Sequence, residues 1–339
     1  MNHTAFIEAV KAGRIASLYL LEGTEEYIKQ QALARLRKKL LPKGMEQFND
    51  ADLTNPDADE LIAAAETIPF MCEKRVVIVR DSDLLVNSRK EEEDNKKTQR
   101  ILAYLPTASP GTCLVFVVRG RADGRKKLYH YLKKANAIVD FSPLSEPESI
   151  NWVQRNMRAL GKSIDADTAA RLVFTVGRDA ALLKQEMDKL SSYAADKERI
   201  ENTDIDTICT QSLECTIFQM VDAQVAGQYD RAFLLLNRMM RNGEDRMHIL
   251  SMLQRQYRIL YHMRCMLDEG TPWQDLAPLL GIPSFSVGLA QQQAKRYSRE
   301  KLKAAYDDLL DFEYQIKAGA MPQEGCAETA LLRLEALLE

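Results

Sequence analysis

The sequence predicts an α/β domain built on a mainly parallel sheet, followed by an all-α C-terminal half. Three observations carry this. Up to about residue 141, short apolar runs alternate with helical spacings, the arrangement of βαβ units. Two of those runs, Val76-Val77-Ile78-Val79 and Leu114-Val115-Phe116-Val117-Val118, are continuous, as suits strands buried on both faces. After Ser142-Pro143-Leu144-Ser145-Glu146-Pro147 no further strong strand occurs, and amphipathic spacing takes over.

Each element follows in order. Ser17 to Glu22 reads as a strand bounded by Gly23. Thr24 to Leu40 reads as a helix, because Ile28, Ala32, Leu36 and Leu40 recur every four positions and Thr24 can cap it. A short strand is expected near Phe48 to Asp52. Pro56 and Asp57 open a helix that Pro69 stops. The strands Arg75 to Arg80, Leu114 to Val118 and Ala137 to Phe141 complete the sheet. The run from Arg89 to Lys97 mixes both charge signs without apolar anchors and reads as an exposed loop. Beyond Ser142, Ile150, Val153, Met157 and Leu160 keep a helical spacing that Gly161 ends. Asp165 starts the next helix, and Gly177 separates it from Ala180 to Tyr193. From Gln211 the helices lengthen, as in Arg231 to Arg241, Met247 to Asp268 and Lys301 to Lys317.

Composition narrows the function. The chain has 339 residues, a length for two or three domains at roughly 150 residues each. It is 46% hydrophobic and 28% charged, so each domain has material for a core. The net charge of −3 argues against a basic nucleic-acid glove. Residues 1–141 carry +3, and residues 142–210 and 211–339 carry −3 each, so no segment is a large single-sign field. No apolar run reaches membrane-spanning length, and Met1-Asn2-His3-Thr4 lacks the basic start of a secretory signal. The six cysteines (72, 113, 209, 215, 265, 326) are scattered and read as reduced thiols, consistent with a cytoplasmic protein. Neither they nor His3, His130, His248 and His262 show metal-ligand spacing. Asp307, Asp308 and Asp311 read as a solvated helix face.

A strand, a glycine and a helix are the setting of a phosphate-binding loop, which requires G-x-x-x-x-G-K-[ST]. Counting from Gly23, Lys29 falls in place. Ile28 stands where the second glycine should be, and its Cβ would block approach to a phosphate. Gln30 replaces the hydroxyl that would bind magnesium, and Glu25 and Glu26 would repel a triphosphate. The strand Val76 to Val79 is followed by Asp81 and Asp83 without the acidic pair of an ATPase. Both halves fail together, leaving an ATPase scaffold without its chemistry.

Two surfaces could bind partners. In Ile68-Pro69-Phe70-Met71-Cys72-Glu73-Lys74-Arg75, two large apolar residues fall between a helix and a strand. Phe70 and Met71 either tuck into the core or stand out as a wedge for an apolar pocket. The basic segment Arg119, Arg121, Arg125, Lys126, Lys127, Lys133 and Lys134, interleaved with Tyr129, His130 and Tyr131, is either a solvated helix face or a contact for phosphates and bases.

Taken in order, these pieces resemble a known family, the delta subunits of the bacterial DNA polymerase III clamp loader. The resemblance rests on Leu18-Tyr19-Leu20-Leu21-Glu22-Gly23 before a helix, on Ile68-Pro69-Phe70-Met71 before Lys74-Arg75-Val76-Val77-Ile78-Val79, and on Gly177-Arg178-Asp179 before Glu186-Met187-Asp188-Lys189-Leu190. Ile217-Phe218, Arg255-Gln256-Tyr257-Arg258, Tyr297-Ser298 and Ile316-Lys317-Ala318-Gly319 extend it over nearly the whole chain.

The resemblance implies an AAA+-like α/β domain (1–141) with a degenerate phosphate loop, a helical lid domain (142–210) and a helical collar for oligomerisation (211–339). It implies a subunit that does not itself hydrolyse ATP and needs no cofactor, within a DNA-directed DNA polymerase (nucleotidyltransferase) holoenzyme. Its partners would be the beta sliding clamp, the tau/gamma ATPase subunits and delta-prime. Primer–template DNA would be touched indirectly or weakly, through Arg125, Lys126, Lys127, Lys133 and Lys134. Phe70 and Met71 correspond to the family's clamp-gripping pair, by which one clamp interface is opened. Met71 stands where an aromatic is often found, and a flexible thioether can fill the same apolar pocket. Two alternatives remain at this stage, an active ATPase of the same fold and a DNA-binding helical scaffold without a clamp partner.

Overall fold

The structure is a computed structural model that describes residues 1–86 and 91–338. The chain divides into two compact units, Met1–Pro143 and Leu144–Glu339.

The first unit contains α1 (His3–Lys11), β1 (Leu18–Glu22), α2 (Glu26–Leu40), α3 (Glu46–Asn49), β2 (Asp50–Thr54), α4 (Ala58–Glu66), β3 (Arg75–Arg80), α5 (Glu91–Tyr104), β4 (Thr112–Val117), α6 (Lys127–Lys134) and β5 (Ile138–Asp140). The five strands form one parallel sheet in the order β2-β3-β4-β1-β5. The continuous apolar runs become its centre. Val77 lies opposite Leu114 and Val79 opposite Phe116, and all four are buried. The edge strand β2 is polar. Its Asp52 accepts hydrogen bonds from Arg80 (2.7 Å) and Arg37 (2.9 Å), so charge rather than apolar surface faces outward there. Burial alone would raise the Asp52 carboxyl, but these two guanidinium groups outweigh it and hold it below the usual range.

Sequence reading and structure differ at four places in this unit. Helix α1 was not anticipated. Its Phe6 packs edge-on against Tyr19 at 5.0 Å between ring centroids, covering β1. Helix α2 starts two residues late, and Thr24 does not cap it; Glu25 occupies that place without a side-chain bond to the helix. Phe48 and Asn49 belong to α3 rather than to the following strand. The charged run expected as a loop is helical from Glu91 onward, while Arg89 and Lys90 lie outside the described residues. Its anchors lie downstream, where Ile101 and Leu105 are buried, and Arg100 pairs with Asp59 of α4. A helix can be docked by its last turns while its first turns read as solvent.

The second unit is all-helical: α7 (Glu146–Ala159), α8 (Ala166–Val176), α9 (Ala180–Tyr193), α10 (Asn202–Ile208), α11 (Leu213–Val225), α12 (Tyr229–Arg241), α13 (Arg246–Asp268), α14 (Trp273–Leu280), α15 (Ser284–Ala294), α16 (Arg299–Lys317) and α17 (Cys326–Leu338). Capping residues fix the starts read from sequence. Asp165 accepts from the Thr168 N–H at 2.7 Å, and Asp179 from Ala181 and Leu182 at 2.9 Å. Two apolar cores occur here. One joins Val153, Met157, Leu172, Leu183, Met187 and Leu190, and the other runs from Ile217 to Leu338 around α13. Among the described residues no helix is long and apolar enough to cross a membrane.

Candidate functional site

Ligands of parallel α/β sheets usually bind beyond the C-terminal strand ends, which makes the turn after β1 the first place to look. There the protein fills the space itself. Gly23 adopts φ 122°, and a Cβ built on it would lie 2.2 Å from the carbonyl carbon and oxygen of Phe141. Its N–H donates to the Gly120 carbonyl at 2.6 Å, and the Glu25 N–H donates to the Phe141 carbonyl at 3.0 Å. The backbone after β5 therefore packs directly on the turn, and only glycine fits.

Lys29, the one residue in register with a phosphate loop, is fully buried. Its ammonium donates to the carbonyls of Gly23 and Val118, both at 2.8 Å, and to Glu26 at 2.6 Å. An ammonium has three protons, and all three are engaged. Ile28 is buried, and Gln30 lies exposed on the outer face. Of the four positions read as a degenerate phosphate loop, Gly23 and Lys29 form a structural clasp joining β1, α2 and the end of β4, and Ile28 and Gln30 take no part in it. Cys113, buried in β4, has its thiol pushed up to about 12 by burial, which leaves it inert.

The opposite end of the sheet differs. Helix α4 ends with the Thr67 hydroxyl donating to the Ala63 carbonyl at 2.8 Å. The chain then passes through Ile68, Pro69, Phe70 and Met71 before β3 begins at Arg75. Ile68 is 84% exposed, Phe70 51% and Met71 73%, and Phe48 at the end of α3 is 53% exposed. Phe70 and Met71 are therefore not tucked into the core. The rings of Phe48 and Phe70 lie 5.5 Å apart and make an exposed aromatic pair, with Ile68 and Met71 exposed on either side of Phe70 in sequence.

The segment is exposed, but its backbone is held. The Asn49 side chain is fully buried. It accepts the Phe70 N–H at 2.7 Å, and it donates to the Phe70 carbonyl at 2.9 Å and to the Met45 carbonyl at 3.1 Å. Met71 follows at φ 54°, a left-handed conformation that side-chain-bearing residues seldom adopt. Gly111 makes room behind: a Cβ there would stand 3.1 Å from the Pro69 ring. Sequence reasoning found Phe70 and Met71 but missed Phe48 and Asn49. Nothing local marks an asparagine as the partner of a backbone 21 residues away.

The basic segment forms α6 with Leu128 and Leu132 buried beneath it. Lys127, Lys133 and Lys134 are exposed, and Lys126 precedes the helix. Arg125 lies against Asp123, with Nε at 2.9 Å and Nη2 at 2.8 Å from its carboxylate oxygens, and these bonds bring the Asp123 carboxyl down to about 2. In the helical half, Asp307 and Asp308 are engaged by Lys303 and Arg333.

Comparison with known proteins agrees with this architecture. The family described as "DNA polymerase III, delta subunit" matches residues 19–142, and its C-terminal domain matches residues 214–334. A DNA polymerase III subunit delta of Bacillus subtilis is 27% identical over 330 residues, covering 96% of this chain and 95% of that one. The Escherichia coli subunit delta is 18% identical over 317 residues, covering 89% and 87%. Among solved structures, a Bacillus subtilis DNA clamp loader delta protein matches with a TM-score of 0.56 and 26% identity, covering 98% of this chain and 99% of that one.

Proposed function

This chain belongs to the DNA polymerase III delta subunit family, and from that membership we propose that it grips the beta sliding clamp and opens one interface of the ring. As a clamp-loader subunit of this family it works in a complex with other loader subunits. In our reading these are the tau/gamma ATPases and delta-prime, assembled in the cytoplasm through a collar formed by residues 211–339, with residues 142–210 as the lid.

One observation carries the reading: Phe70 and Met71 stand in water on a backbone fixed from behind. A ring in equilibrium between closed and open forms shifts only by the difference in affinity for the two. Phe70 and Met71 inserted into an apolar pocket of the open clamp supply that difference, roughly 1.5–3 kcal/mol for each side chain when fully buried. The chain needs no nucleotide for this step, because Lys29 is committed to protein acceptors. The lysines of α6 add a weak, salt-sensitive attraction to primer–template DNA.

The test is surface plasmon resonance between the chain and the sliding clamp of its own organism. The Phe70→Ala/Met71→Ala variant is expected to bind at least about 100-fold more weakly, consistent with the loss of two anchors. Unchanged affinity in a folded variant would sink the reading.

A further inference from the structure

We propose that Asn49 is a positioning residue of this clamp-gripping element, presetting the backbone of Phe70 so that the wedge meets its pocket already formed. The inference rests on the clamp reading above and adds a residue to it.

The geometry is specific to a carboxamide. Phe70 presents one donor and one acceptor, and Asn49 answers both, at 2.7 Å and 2.9 Å. A carboxylate could accept but not donate, and an aliphatic side chain could do neither. The third bond, to the Met45 carbonyl, fixes the carboxamide plane within its own turn. The Asn49 side chain is buried, so water does not compete for these groups.

This arrangement resolves a conflict in the loop. Apolar side chains left in water tend to fold back onto the protein, and Met71 is held at φ 54°, away from the preferred regions. Such a conformation persists only where the surroundings over-determine it. Asn49 supplies the constraint through the main chain, leaving the side chains of Phe70 and Met71 free for a partner. Phe48 flanks the Phe70 ring from the same short helix. Where only a fraction of molecules is binding-competent, apparent affinity falls by that fraction, so a preset loop removes the loss.

The experiment uses the full chain with Asn49→Ala. The wild-type clamp complex is measured first, because failure of the wild-type chain to bind the clamp overturns the clamp reading and with it this role for Asn49. Hydrogen exchange in the free chain is then read at the Phe70 amide and at Val77 and Ile78 of β3. Faster exchange confined to Phe70 is expected. Loss of protection in β3 as well would make Asn49 a general structural residue and overturn the proposal. In clamp binding, the association rate is expected to fall about tenfold with the dissociation rate within about twofold, because the bound contacts are unchanged once formed. An unchanged association rate, or a change confined to dissociation, would overturn it. Should the alanine variant not fold, the near-isosteric Asn49→Leu, which can neither accept from nor donate to Phe70, is read in the same way.

Discussion

The ammonium of Lys29 lies 2.8 Å from the carbonyl oxygen of Gly23, the glycine that would open a phosphate loop. The lysine and the glycine in register with that motif are bonded to each other. Replacing the lysine strands the Gly23 and Val118 carbonyls in a dry site. We expect Lys29→Met to lower unfolding free energy by about 3 kcal/mol, read as a lower urea midpoint at unchanged slope. Calorimetric titration of the wild-type chain with ATP is expected to give no binding heat. A site that Lys29→Met abolishes would revive the ATPase alternative.

Gly23→Ala is expected to be more damaging than its single methyl suggests. The added carbon would meet the Phe141 backbone at 2.2 Å, on a residue at φ 122°. Neither the strand end nor the turn can yield without breaking the Glu25–Phe141 hydrogen bond. A loss of at least about 3 kcal/mol is expected from thermal unfolding, against well under 1 kcal/mol for an ordinary surface substitution.

Met71→Gly should separate stability from function. Glycine relieves the left-handed strain at φ 54° and removes an exposed side chain, so the melting temperature should hold or rise, by up to about 1 kcal/mol in stability. Clamp affinity should nevertheless fall, because the thioether is lost. A variant that melts lower and binds as well as wild type would contradict both halves.

The Lys197 ammonium and the Glu201 N–H hold the Asp204 carboxyl below its ordinary range. A lowered value in the folded state means the carboxylate stabilises the fold above the unfolded-state value near about 4, and that this is lost as pH falls through the folded value. The urea-midpoint difference between wild type and Asp204→Asn should therefore be constant from pH 6 to 8 and shrink below about pH 4. A difference that grows on acidification would reverse the assignment.

Much of the fold was legible in the sequence because the signals were local. Val76 to Val79 and Leu114 to Val117 read as buried strands and lie in the central strands β3 and β4, and Gly177 and Asp179 punctuate α8 and α9 as their residue types require. The errors fell where tertiary contact overrides local pattern. Helix α1 is held by packing of Phe6 on Tyr19, and the charged start of α5 is carried by apolar residues downstream.

The candidate site divides the same way. Sequence alone determined that a phosphate-loop pattern counted from Gly23 lacks its second glycine and its hydroxyl, because Ile28 and Gln30 stand in those places. It also named Phe70 and Met71. Only the tertiary structure decided what these residues became: Lys29 a buried clasp, and Phe70 and Met71 an exposed patch on a backbone held by Asn49. The reason is physical. Whether a side chain can bind phosphate or bury a ring follows from its type, which the sequence states. Which acceptors surround an ammonium, and which distant amide meets a backbone, depend on how strands remote in sequence are brought side by side.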